Sequence, residues 1–331
     1  MKDTLTRGGP DPQTRRPPPV QPPAPDTPAR RRKRLITRTR PWLLLAPALL
    51  VLAGLLLWPM IQVGKLSLQE YEVRFGGGVG TYIGLDNYAE LVSSELLWKT
   101  VLPNTAFFAF ACVGLTVALG TLVALLLNRL GTTWRLICSL AIMAAWAMPA
   151  VTGTYVWIWL FQPGDGLFSH LAEGLGLIDP ETTNWFTQRL PFYAIATLNV
   201  VHHGFPFVAI TVLAGLLTIP KELYEAGMID GANAWQRFWQ ITVPTIRPVF
   251  LVVTILSTIW DFKVFTQIFL MPGGDGSNPD VFNLGVYSYI EAFAENDYGT
   301  GAAAAVLLTL LLLAITIVYI RTLFRQGEED L

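Results

Sequence analysis

Glu225-Ala226-Gly227-Met228-Ile229-Asp230-Gly231, running on to Ile241-Thr242-Val243-Pro244, is a polar, charged stretch set between two long apolar segments. A loop that only reverses the chain needs no internal order, and this one has it. Pro220 suits a first helical turn, where its missing N–H costs nothing. Glu222 and Glu225 then lie where a helix N-terminus favours negative charge. Gly231 supplies the φ > 0 of a sharp stop, and Asn233 can cap a second short helix. Trp235, Phe238 and Trp239 fall at i, i+3 and i+4, so they form one apolar stripe. Pro244 and Pro248 close the unit. The chemistry open to such an elbow is contact: the Glu225 carboxylate can accept charge-assisted hydrogen bonds from a partner surface. Ala226 beside it is small enough for close approach, and Asp230 can cap or brace the turn.

A second set of polar residues stands inside or at the edge of apolar runs: Asn104, Asn199, His202, His203, Asp261, Lys263 and Gln267. Polar groups at membrane depth are costly and mark cavities by default. Asp261 and Lys263 read equally as a helix-packing pair or an interfacial snorkel. The histidines read as hydrogen-bonded to a neighbouring helix or as ligand contacts. Catalytic chemistry finds no footing. The chain has no Gly-x-x-x-x-Gly-Lys-Ser/Thr phosphate cradle, which excludes an ATP-hydrolysing subunit. It carries no nucleophile elbow, no zinc motif and no paired carboxylates. Its three histidines show no metal-ligand spacing, and Cys112 and Cys138 sit in apolar runs as small core residues. No metal and no cofactor are expected on this chain, and no enzyme activity.

The elements that must position these residues are membrane helices. The 331 residues are 52% hydrophobic and 14% charged, against about 25% charged in soluble domains. Several apolar runs reach the roughly 20 residues that cross a bilayer. The spans read as 42–63, 104–127, 135–160, 191–217, 247–270 and 302–320, with Pro149 kinking the third. Residues 1–40 are Pro-rich, cannot bury a core and are expected to be disordered. Their Arg30-Arg31-Arg32-Lys33-Arg34 block holds that end in the cytoplasm and can touch anionic lipid; a nucleic-acid role is not expected. A signal peptide does not fit, because the first apolar run is too long and lacks a small-residue cleavage pattern. Residues 65–100, with Gly76-Gly77-Gly78 as a flexible tip, 162–190 and 272–300 read as loops, and 326–331 as a short tail. With the N-terminus inside, only Lys65, Arg74, Lys99, Arg189 and Lys263 of the 23 Lys and Arg fall outside. Both termini and the elbow are thus expected in the cytoplasm.

The elbow resembles the EAA loop of binding-protein-dependent ABC importer permeases: Glu-Ala-Ala, three residues, Gly, nine residues, Ile-x-Leu-Pro. Glu225, Ala226, Gly231, Ile241 and Pro244 match at that spacing, with Gly227 in place of Ala and Val243 in place of Leu. Gly84-Leu85-Asp86-Asn87-Tyr88, the Gly-x-Pro-Phe of Gly204 to Phe207, and Gly273-Gly274 are similar to elements of the maltose-type sugar branch. The resemblance covers roughly residues 42–320. It implies an all-α, six-span permease in the plasma membrane, with a coupling helix between spans four and five. It implies partners: a second homologous permease, two cytoplasmic ATPase subunits that bind ATP, and an extracytoplasmic solute-binding protein. It makes Glu225, Ala226, Gly227, Asp230, Gly231, Ile241 and Pro244 the ATPase-coupling residues. The solute would be a sugar of the di- or oligosaccharide class, with glycerol 3-phosphate or another polar solute as the alternative. Asn104, Asn199, His203, Trp260, Asp261, Lys263 and Gln267 would line its path. Of the rival classes, a secondary transporter would show inverted repeats, which the sequence lacks, and a channel or membrane scaffold would leave the elbow idle.

Overall fold

The computed structural model describes residues 42–71, 80–179 and 183–329, with side chains as far as Thr322. The Pro-rich tail, its basic block and the Gly76-Gly77-Gly78 tip lie outside the described residues. The chain divides into two compact units, Met1–Pro59 and Met60–Leu331. The described part of the first is the greater length of helix α1, Trp42–Leu66.

In the second unit the helices are α2 Asp86–Ser93, α3 Leu97–Arg129, α4 Thr132–Trp146, α5 Ala150–Leu160, α6 Leu167–Gly174 and α7 Arg189–Leu216. They continue as α8 Lys221–Ile229, α9 over residues 234–245, α10 Arg247–Asp261, α11 Thr266–Leu270, α12 Leu284–Tyr289 and α13 Tyr298–Glu329. A two-stranded antiparallel hairpin, Gln69–Glu70 with Thr81–Tyr82, joins α1 to α2, Gln69 opposite Tyr82. Among the described residues five helices are long and apolar enough to cross a membrane: α1, α3, α7, α10 with α11, and α13. The bent pair α4–α5 brings the number to six if it counts as one span.

Prolines shape this backbone in two ways. Pro59, Pro103 and Pro244 stay within continuous helix, each just after one wide turn: Ala53–Leu57, Leu97–Val101 and Phe238–Thr242. A proline ring crowds the carbonyl four residues back and offers no N–H. A single i→i+5 turn moves that carbonyl aside. At Pro149 the chain breaks instead. The sequence predicts one kinked helix over 135–160, but α4 stops at Trp146 and α5 starts at Ala150, the two meeting at 89°. Pro149 is extended, with φ −58° and ψ 134°. The residue before a proline is disfavoured in the helical region, which weakens the helix at Met148.

α3 and α7 form the centre. Without a hydrophobic drive between helices in lipid, close contact depends on small residues. At Gly120 an added Cβ would stand 2.6 Å from the Val208 side chain; the hydrogen there is what lets the two backbones approach. Two buried clusters flank this crossing. One, toward the elbow, contains Leu127, Val212, Leu216, Ile246 and Val253. The other, at the far end, contains Leu97, Phe108, Phe192, Ile268, Val281, Leu284 and Tyr287.

The regions read as loops carry more structure than their composition suggests. Residues 65–100 contain α2 and the start of α3, and 162–190 contain α6. Residues 272–300 hold α12, whose Leu284, Val286 and Tyr287 are buried. Asn283 caps α12 by accepting from the Val286 N–H.

Candidate functional site

The elbow is built from α8 and α9. Lys221 opens α8, with Pro220 one residue earlier than a first-turn position, extended at the N-cap. Glu222 lies in the first turn, where it complements the helix dipole. The helix ends in a Schellman turn. Ala232 N–H donates to the Gly227 carbonyl (2.9 Å) and Gly231 N–H to that of Met228 (3.1 Å). Gly231 has φ +79°, and open space surrounds its missing Cβ. Glycine is therefore needed for backbone angle, not for room. Asp230 is the C-cap residue.

α9 starts with a reciprocal capping box. Gln236 N–H donates to Asn233 Oδ1 (2.9 Å), and Asn233 N–H to Gln236 Oε1 (2.8 Å). The aromatic stripe forms: Trp235 packs on Phe238 and Trp239 with ring centroids 6.2 and 5.5 Å apart. Three contacts clasp α9 to α8. Arg237 Nη1 donates to the Ala232 carbonyl. The hydroxyls of Tyr224 and Thr242 lie 2.9 Å apart. Gly227 abuts Ile241, whose Cδ1 would stand 2.9 Å from an added Cβ. The glycine that replaces the motif's alanine is thus a seat for Ile241. Between the arms runs a groove of about 410 Å³, lined by Leu223, Ala226, Asp230, Gly231, Gln236 and Gln240 among others. Glu225, Ala226 and Pro244 are exposed.

The membrane-depth residues do not form one cluster. Asn104 is buried and fully engaged. Its amide donates to the carbonyls of Asp280 (3.0 Å) and Phe282 (2.9 Å), and its Oδ1 accepts from Arg189 Nε (2.7 Å). Asn199 and Gln267 pair with each other, Gln267 Nε2 donating to Asn199 Oδ1 at 3.0 Å. Asp261 is buried, and its Oδ2 has no hydrogen-bond partner among the described residues. Lys263 is exposed and makes no described ion pair with Asp261. Trp260, half-exposed, sets its ring edge-to-face on Phe207 at 5.0 Å. His203 is half-buried, while His202 is exposed with its ring 6.0 Å from Trp157. Among the described residues no group of three or more His, Cys, Asp or Glu could hold a metal.

Two polar constellations escape the sequence. At the far end, Tyr193 OH donates to the Val281 carbonyl (3.0 Å), and Leu284 N–H to Thr105 Oγ1 (2.8 Å), joining the Asn104–Arg189 pair in a clamp on residues 280–284. Near the hairpin, Asn87 Nδ2 donates to the carbonyls of Ser67 and Gln69, and Tyr88 OH to Ser67 Oγ. The Asn-Tyr pair of the Gly84-to-Tyr88 element therefore ties the chain leaving α1 to α2. Partners up to 179 residues apart leave no local trace in the sequence.

An all-α bundle of membrane-crossing helices, with a capped, clasped elbow between its fourth and fifth spans, defines a transport permease. Residues 116–326 match the family described as "Binding-protein-dependent transport system inner membrane component". The diacetylchitobiose uptake system permease protein DasB of Streptomyces coelicolor is 38% identical over 88% of both chains. The trehalose/maltose transport system permease protein MalF of Thermococcus litoralis is 32% identical over 85% of this chain and 92% of its own. This protein belongs to that family, the membrane permeases of binding-protein-dependent ABC importers. The crystal structure of a bacterial ABC transporter involved in the import of the acidic polysaccharide alginate shares the fold, with TM-score 0.73 at 21% identity, covering 89% of this chain and 99% of that one.

Proposed function

We propose that this chain is the permease subunit of an importer for an uncharged di- or oligosaccharide, driven by ATP hydrolysis on a partner chain. The observation that carries the reading is the elbow. Its two short helices are locked to each other by the Schellman turn, the capping box and the Gly227–Ile241 seat, yet Glu225 and the groove stay exposed. A rigid, uncovered bracket continuous with the inner end of α10 can transmit a push without absorbing it. Two cytoplasmic ATPase subunits would close on nucleotide, one seating this elbow and the other that of a second, homologous permease. The bundle would then alternate between outward and inward openings.

Glu225 would accept charge-assisted hydrogen bonds from the ATPase surface. Both termini and the elbow would face the cytoplasm of the plasma membrane, in keeping with the distribution of Lys and Arg. An extracytoplasmic binding protein would deliver the solute. The sugar class is supported by the names of the relatives, which specify diacetylchitobiose and trehalose or maltose. On the path, Asp261 Oδ2, without a partner among the described residues, would accept a hydrogen bond from a solute hydroxyl.

The test is uptake by the assembled importer in proteoliposomes, with diacetylchitobiose and maltose as probes. Glu225→Lys should abolish ATP-driven uptake while the subunit still inserts and assembles. Normal uptake by that variant would remove the coupling role. Calorimetry of the partner binding protein with the same two sugars decides the solute class.

A further inference from the structure

The segment between α5 and α7 contains an amphipathic helix with one buried side, one charged side and one exposed apolar side. α6, Leu167–Gly174, starts seven residues after α5 ends and lies at the end of the bundle opposite the elbow. Its rotation is fixed. Ser169 is buried and accepts a hydrogen bond from Trp185 Nε1 at 2.9 Å, while Phe168 stacks on Phe161 with centroids 4.6 Å apart. The Ser169 and Ala172 side is therefore the side turned to the protein. At about 100° per residue, His170 and Glu173 fall on a second side. They are exposed and lie within ion-pair distance of each other, 3.6 Å. Leu167, Leu171 and Leu175 fall on the third, within an arc of roughly 100°. They are 55%, 53% and 74% exposed, and Leu177 just beyond is 72% exposed.

An apolar side this large, on a helix otherwise well anchored, needs a cover. The helix is tied at both ends to membrane spans, through Leu160 before it and Arg189 after it. Trp185 bonds to it through Ser169, and Trp157 and Trp159 lie in the last turn of α5 before it, the residue type that concentrates at the headgroup level of bilayers. Its leucine side and its charged side are about 130° apart at 100° per residue, so the helix can bury one while the other stays in water, as in helices that lie in the plane of the interface. We infer that α6 is a lipid-anchored interfacial helix: Leu167, Leu171 and Leu175 enter the acyl boundary while His170 and Glu173 face water.

The experiment uses the full chain reconstituted in phosphatidylcholine–phosphatidylglycerol liposomes, with a nitroxide label on Leu171→Cys, Leu175→Cys or Glu173→Cys. The parent chain, with Cys112 and Cys138, gives the background. Collision rates with oxygen, which concentrates in lipid, and with a nickel chelate, which stays in water, are compared. Labels at 171 and 175 should collide severalfold more with oxygen than with chelate, and the label at 173 should show the reverse. Chelate collisions at 171 and 175 equal to those at 173 would place the leucines in water. Low collision with both reagents would mean that protein, such as the docked binding protein or a second permease, covers them. Either result overturns the anchor. The two leucine positions are independent, so misfolding of one variant leaves the other to decide.

Discussion

At the elbow end of α3 and α7, Leu127, Val212, Leu216, Ile246 and Val253 pack without polar stitching between them, and the bonds from Tyr224 to Thr242 and from Arg237 to Ala232 stay inside the elbow. At the far end the same two helices are sewn to residues 280–284 by Asn104, Arg189, Tyr193 and Thr105. Apolar packing in lipid has many near-equivalent arrangements, because the competing solvent is as apolar as the side chains. A buried polar clamp has one, since each displaced group loses its partner. The contrast teaches where motion is cheap. In the proposed mechanism the bracket with its α10 lever would shift over its apolar bed, with the far end as the fixed frame.

The largest expected effect breaks the frame. Asn104→Leu strands the carbonyls of Asp280 and Phe282 and the Arg189 guanidinium, and should cost about 3 kcal/mol of stability. Thermal unfolding in detergent measures it, and amide exchange should rise first in residues 279–284. A loss under about 1 kcal/mol would make the clamp incidental.

A smaller effect separates angle from space within the elbow. Gly231→Ala forces a Cβ residue into φ +79° with no steric neighbour, at a cost of about 1–2 kcal/mol. Because the strain sits at the hinge of the bracket, uptake should fall while the melting of the bundle is unchanged. Gly227→Ala meets only the tip of Ile241, which can turn away. It should cost under about 1 kcal/mol and leave uptake near normal. Equal losses from both glycines would refute the distinction.

The smallest effect is a pH dependence confined to the frame. Burial raises the Glu291 carboxyl above its ordinary range, Asp297, Glu295 and Glu90 add to this, and the Tyr287 hydrogen bond opposes it. The folded chain thus holds this proton more tightly than the unfolded one. Its contribution is most favourable below the ordinary carboxylate range and is lost as pH rises toward the raised value. Exchange protection of residues 284–294 should therefore increase on acidification through that window, and Glu291→Gln should flatten the response. Protection that instead weakens in the parent chain as pH falls would reverse the assignment.

Much of the elbow was legible because its signals are local. Gly231 at a helix stop, Asn233 as a helix cap, and aromatic residues at i, i+3 and i+4 each act within one or two turns. The spans were legible because the bilayer sets a length and an apolarity that any window of the chain either meets or fails. Prolines were read less well. Pro149 and Pro206 both stand in apolar runs, yet one breaks the chain at 89° and the other lies buried inside an unbroken α7. Packing around the residue decides between them.

The sequence by itself determined that this is a membrane bundle with a capped elbow, since propensity, periodicity and hydropathy are summed over neighbours along the chain. Only the tertiary structure decided that Asn104 is spent on a distant loop, that Asp261 Oδ2 has no partner among the described residues, and that Val281 to Leu284, Val286 and Tyr287 are core. Whether a buried polar group is satisfied depends on what the fold brings to within about 3 Å of it, and that distance is not written in sequence spacing.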